Sequence, residues 1–182
     1  AGLDYTYAMR WSNNVGDLFS TMVPNVVGGG NVEYNSSGTL ASELRRRGYN
    51  APTVNLYWGG LDSTGGPAYF GAILWLLFFI GVWGLRGPLR WGLISSMALI
   101  LFISLGKNGG FINEMFYNIL PLYNKFRAPS SAVTVAIFLA AIGGALGLNT
   151  LLFAKKKVDE KLLILKKAGM TMGALLLIVL IS

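Results

Sequence analysis

The residues from Ala68 to Leu85, AYFGAILWLLFFIGVWGL, contain no Asp, Glu, Lys or Arg, and two similar runs come after it at about Trp91–Leu105 and Ser130–Ala154. Such runs have few places to fold. Hydrocarbon about 30 Å thick is crossed by roughly 20 apolar residues in a helix, because a helix satisfies every backbone N–H and C=O within itself. A fourth run begins near Ala168 and is still in progress at Ser182; its 15 residues make about 22 Å of helix, short of a full crossing. With Ala1 as its first residue, the chain reads as an internal fragment of a larger protein. The expectation is an all-α integral membrane protein, a multi-pass helical bundle. Residues 1–67 form a large extracytoplasmic loop region containing short helices, and residues 68–182 form the transmembrane region.

Composition agrees. Charged residues are 13% of the chain, against about a quarter in a soluble domain. The formal charge of +7 is a possible signature of nucleic-acid binding, but the basic residues gather at the ends of apolar runs, where membrane proteins keep them. The partners this implies are membrane lipids, not nucleic acid. With no Cys and no His, the chain has no disulfides, thiolate or imidazole metal ligands, Cys nucleophiles or His bases. No D-x-D or comparable pairing of carboxylates appears, so neither a metal nor a cofactor is expected.

Basic residues also orient the chain. If the turn Arg86-Gly87-Pro88-Leu89-Arg90 and the segment 155–167 share one side, that side holds eight basic residues, against three (Lys107, Lys125, Arg127) in the loop 106–129. By the positive-inside rule the richer side is cytoplasmic. Residues 1–67 and 106–129 then lie outside the cytoplasm. Within 111–120, the residues Phe111, Ile112, Met115, Phe116, Ile119 and Leu120 fall on one helical face, with Asn113, Glu114 and Asn118 opposite. Too short to span, this segment reads either as a helix lying in the outer interface or as one packed on the loop. In the first 67 residues, Asp17–Val23 suggests a short helix stopped by Pro24, and Gly28-Gly29-Gly30 a turn. Leu40–Arg47 suggests a second helix, with Glu43 placed to pair with Arg46 or Arg47 and Gly48 as its C-cap.

Three stretches have a familiar order: WSNNVGDLFSTMVPNVVGGG at 11–30, YWGGLDSTGGPAYFGAI at 57–73, and GKNGGFINEMFYNILPLYNKFRAPSS at 106–131. Together with their spacing they resemble the YfhO family of bacterial membrane proteins, over most of the chain up to about residue 150. The resemblance implies the GT-C glycosyltransferase architecture in the bacterial inner (cytoplasmic) membrane. Such enzymes transfer a sugar from a polyprenyl-phosphate-linked donor to an acceptor outside the cytoplasm, here an envelope polymer or glycolipid. It also implies that the main catalytic carboxylate lies in a first outer loop before this segment, so no catalytic residue is assigned here.

The residues themselves offer one sharper site. Lys125 and Arg127 stand just before a helix whose first turn is Pro129-Ser130-Ser131. Free amides of that turn, the positive helix end and a guanidinium fork make an anion site suited to a lipid-linked phosphate. Against this, flanking basic residues often do no more than contact headgroups. Asp4 and Asp62 are weaker candidates for contacting a sugar, and Trp58, with Trp11 and Tyr57, for stacking on one. Asp17 reads as a helix cap. Gly143 and Gly147 form a GxxxG pair that suggests close helix contact without chemistry. Two other classes compete: a noncatalytic structural subunit of an envelope assembly, and a lipid or polymer transporter. The transporter wants ionisable residues within its helices, which these runs lack.

Overall fold

The computed structural model describes residues 2–30, 33–34, 39–49, 53–61 and 68–181. These are mostly helical. Eight helices occur among them: α1 (Tyr5–Ala8), α2 (Val15–Ser20), α3 (Thr39–Arg46), α4 (Ala72–Gly84), α5 (Pro88–Ser104), α6 (Phe111–Ile119), α7 (Val133–Leu152) and α8 (Val158–Ile181). A small antiparallel ribbon, β1 (Glu33–Tyr34) with β2 (Thr53–Val54), pairs Glu33 with Val54, and an isolated bridge joins Gly28 to Tyr57.

Local chemistry explains the helix starts. Asn14 and Asp17 form a reciprocal capping box at α2. Gly71, at φ 104°, takes a conformation that residues with a Cβ rarely adopt and turns an extended segment into α4. Pro88 stands at the first position of α5, where its missing N–H costs nothing, and Pro129 opens a 3₁₀ turn that runs into α7. On α3, Glu43 is bonded to both Arg46 and Arg47, and Gly48 follows at φ 81°.

Among the described residues, two helices are long and apolar enough to cross a membrane: Pro129–Leu152 and Val158–Leu180. The second corrects the expectation of a truncated helix starting near Ala168. Residues 158–167 (VDEKLLILKK) are good helix formers, with Asp159 and Glu160 favourably placed in the first turn, so the helix begins a decade earlier. The first two apolar runs form shorter helices than these. The helix α4 has 13 residues, fewer than its apolar run, and α5 has 17 because it starts earlier, at Pro88; their axes are about 20 Å and 26 Å long.

The core sits among α4, α5, α7 and α8, around Trp75, Phe78, Phe79, Ile80, Leu93, Met97, Ala136 and Ala140. Packing is closest between α4 and α7. A Cβ built on Gly81 would lie 2.2 Å from the Gly143 carbonyl oxygen, and one on Gly147 would lie 2.1 Å from that of Leu77. The two backbones therefore touch where the GxxxG pair meets Gly81, as small-residue interfaces allow.

Candidate functional site

At one end of the bundle, residues 2–23 are laced to residues 104–131. The Leu3 amide donates to the Asn124 carbonyl (2.8 Å), that of Ala128 to Ala8 (3.1 Å), that of Ser130 to Trp11 (3.1 Å) and that of Asn13 to Ser104 (3.0 Å). The Tyr117 hydroxyl donates to the Leu3 carbonyl. Ser12 Oγ, fully buried, donates to the Met9 carbonyl and accepts from the Lys107 amide. Each bond satisfies a polar group that burial would otherwise penalise. This polar head holds the candidate site.

Its centre is Trp11. The Arg127 guanidinium carbon lies 5.2 Å from the indole centroid and that of Arg10 lies 5.3 Å from it, both within cation–π range. Arg127 Nη1 also donates to the Tyr7 hydroxyl at 2.7 Å. Between Arg127 and Pro129, Ala128 adopts the left-handed conformation (φ 61°), a strain on the order of 1 kcal/mol that its amide bond to Ala8 helps to hold. Two cavities flank this cluster, with Met9 in the wall of both. One, of about 660 Å³, is the more polar of the two and is lined by Asp4, Tyr5, Thr6, Tyr7, Arg10 and Lys107. The other, of about 280 Å³, is mostly apolar and is lined by Ile103, Tyr123, Phe126, Arg127, Pro129 and Ala132 among others. Burial, reinforced by the negative charge of Glu114, raises the Tyr5 pKa, so its hydroxyl stays a proton donor.

The sequence candidates divide. Arg127 lines the apolar cavity, and Asp4 borders the more polar one, where its carboxylate also caps α1 by accepting from the Thr6 and Tyr7 amides. Lys125 is exposed in a 3₁₀ turn next to it. Ser130 goes elsewhere: it lines a smaller cavity of about 140 Å³ with Asn13, Asp17 and Thr21. The anion site expected from free amides at the helix start is corrected. The Ser130 amide is spent on Trp11 and the Ser131 amide on Ala128, so the chain's own carbonyls occupy those donors. Trp58, 78% exposed, lines neither of these two cavities. Asp62 lies outside the described residues.

Asp17 does far more than cap. Only 2% exposed, it accepts from the Tyr57 hydroxyl (2.6 Å) and from the amides of Gly60 (2.9 Å) and Asn14 (2.7 Å). Burial first, and then the hydrogen bond to Asp17, raise the Tyr57 pKa well above its usual value. This hub positions the turn at 57–61 against α2. From the sequence Asp17 reads only in its local role as a cap, and Asn14 is the N-cap of the box. Tyr7 as the partner of Arg127, and Arg10 over the same indole, had no local signal.

Compared with protein-family models, curated proteins and solved structures, the chain matches none. Its chemistry is therefore argued from the site. Among the described residues no three carboxylates, His or Cys converge as a metal site would require.

The helix beside the site, α6, buries one polar residue and exposes apolar ones. Asn113 is fully buried, its Nδ2 donating to the carbonyls of Phe102 and Gly106, whereas Phe111 and Ile119 are 75% and 68% exposed.

Proposed function

We propose that this chain is part of a multi-pass, membrane-embedded glycosyltransferase of the GT-C type. It takes a polyprenyl-phosphate-linked sugar donor at the outer face of the bacterial inner membrane and serves a cell-envelope acceptor. The observation that carries this reading is the setting of Arg127. Its guanidinium, which donates through Nη1 to the Tyr7 hydroxyl, lines an apolar cavity that shares Met9 with a more polar one lined by Arg10 and Lys107. A ligand with an anionic head, a sugar and a hydrocarbon tail matches all three parts: phosphate on the cations, sugar among Asp4, Tyr5 and Tyr7, and tail along Ile103, Phe126 and Pro129.

The membrane part of the reading is supported by the outward apolar faces. Only 33% and 11% of the apolar windows of the two long helices are buried, unlike the core helices of a soluble protein. The exposed apolar face of α6 favours a helix lying in the interface. The basic asymmetry then puts the head, with residues 1–67 and 106–129, outside.

The test is transfer from a polyprenyl-phosphate sugar by the full-length protein, comparing wild type, Arg127→Lys and Arg127→Ala at matched membrane levels. A planar fork that binds phosphate bidentately is not replaced by an ammonium, so both variants lose about tenfold or more in donor use. A headgroup anchor tolerates Lys. Full activity in both variants would sink the reading.

A further inference from the structure

At the far end of the bundle from the head, a second pair of cations surrounds an indole. The Arg90 guanidinium carbon lies 4.7 Å from the Trp83 centroid and 5.7 Å from that of Trp91, and Lys167 Nζ lies 5.2 Å from Trp83. Trp83 itself is pinned, its Nε1 donating to Thr171 Oγ1 at 3.1 Å. Neither Arg90 nor Lys167 forms an ion pair with a carboxylate among the described residues, and Arg90 Nε is buried without a hydrogen-bond acceptor. A buried donor on a charged group with no acceptor is costly, so something carrying an oxygen belongs there.

Behind these cations runs an apolar groove of about 400 Å³. Its walls are Phe78 and Val82 of α4, Met97 and Leu101 of α5, and Leu175 of α8, with Arg90 and Trp83 at the basic end. The groove lies between the aromatic side chains of α4 and the facing residues of α5. From Arg90 to Leu101 is eleven residues of α5, about 16 Å of helix axis, close to half of a ~30 Å hydrocarbon layer. Leu18, Phe19 and Met22 close the end away from Arg90, beside the Trp75–Thr21 hydrogen bond, so the groove has its charges at the mouth and an apolar floor.

We propose that this groove binds one acyl chain of an anionic phospholipid of the cytoplasmic leaflet, whose headgroup phosphate accepts from Arg90 Nε and pairs with Lys167. The site rests on the membrane reading above and not on the donor reading, since it uses none of the residues around Arg127. The occupant is identified by charge complementarity: two cations without a carboxylate partner among the described residues and an orphan donor at one end, hydrocarbon for the rest. A zwitterionic lipid brings its own cation into that mouth and is the poorer fit.

Native mass spectrometry of the full-length protein, released from nanodiscs of equal phosphatidylglycerol and phosphatidylcholine, tests this. The wild type retains one phosphatidylglycerol in preference to phosphatidylcholine. Removing one cation with Arg90→Gln weakens retention about fivefold. Ala98→Phe, which fills the groove and leaves both cations in place, abolishes it. A thermal melt of each variant separates loss of the lipid from loss of the fold. Equal retention of both lipids, unchanged retention in Arg90→Gln or Ala98→Phe, or a second copy of the chain in place of the lipid would each overturn the proposal. A protein that stays monomeric in buffer without detergent or lipid would overturn the membrane reading itself.

Discussion

The bundle and the head bury their backbones by different means. Where α4 meets α7, contact is apolar and its closeness depends on having no side chain: Gly81 against Gly143 and Gly147. In the head, segments 2–23 and 104–131 are joined by directed bonds, backbone to backbone at Leu3, Ala128, Ser130 and Asn13, and through the side chains of Ser12 and Asn108. On the membrane reading proposed above, lipid offers no hydrophobic drive between helices, so close van der Waals packing holds them. In the head, water competes for polar groups, and directed bonds fix the conformation. A bundle built this way is sensitive to added volume. A head built this way is sensitive to lost partners.

Adding volume to the bundle breaks the comparison most severely. Gly81→Leu or Gly147→Leu drives a side chain into the facing backbone, with an expected cost of about 3 kcal/mol or more and a large drop in the detergent melting temperature. Gly92→Leu is the control, since a Cβ there meets nothing within 4 Å, and its melting point stays near wild type. If all three melted alike, the glycine contact would not be what holds α4 to α7.

Removing a partner from the head is the next largest effect. Asp17→Ala leaves the Tyr57 hydroxyl and two amides without their acceptor, a cost of about 2–3 kcal/mol. Amide hydrogen exchange locates it: residues 14–20 and 57–61 exchange faster, while α4 and α7 keep their protection. Equal loss of protection in the bundle would show that head and bundle unfold as one unit.

The smallest effect is a pH dependence confined to the head. The Tyr57 pKa is raised in the folded state, so above pH about 10 the unfolded chain releases a proton that the folded one retains. The unfolded state then binds fewer protons and stability falls as pH rises. Tyr57→Phe removes that slope, which melts between pH 9 and 11 detect. An identical slope in wild type and Tyr57→Phe would assign it to other tyrosines.

Much of the bundle was legible because its signal is local. An apolar run bounded by Gly-Pro or Lys-Lys-Lys announces a helix wherever it sits, and GxxxG announces a close neighbour. Its ends were less legible. The start of α8 at Val158 was hidden because Lys161, Lys166 and Lys167 resemble a loop in composition while being good helix formers. In the head, α3 with its Glu43 pairs could be read at three- and four-residue spacing, whereas α2 starts at Val15 with Asn14 as its N-cap, before the Asp17 start the sequence suggested. Asn113 was misplaced, since its polarity suggested a solvent-facing side; its amide is instead buried against the end of α5.

By itself the sequence determined the features that depend on near neighbours along the chain: the helical class, the apolar stretches, the caps, and a basic side and a less basic one. Tertiary structure alone decided which distant residues share a site. Arg127 meets Tyr7 across 120 residues, Asp17 meets Tyr57 across 40, and Ser130, three residues from Arg127, lines a different cavity. The physical reason is range. Helix periodicity and capping act within about one turn and are written in spacing. A hydrogen bond across the head depends on where the chain returns, which no local pattern encodes.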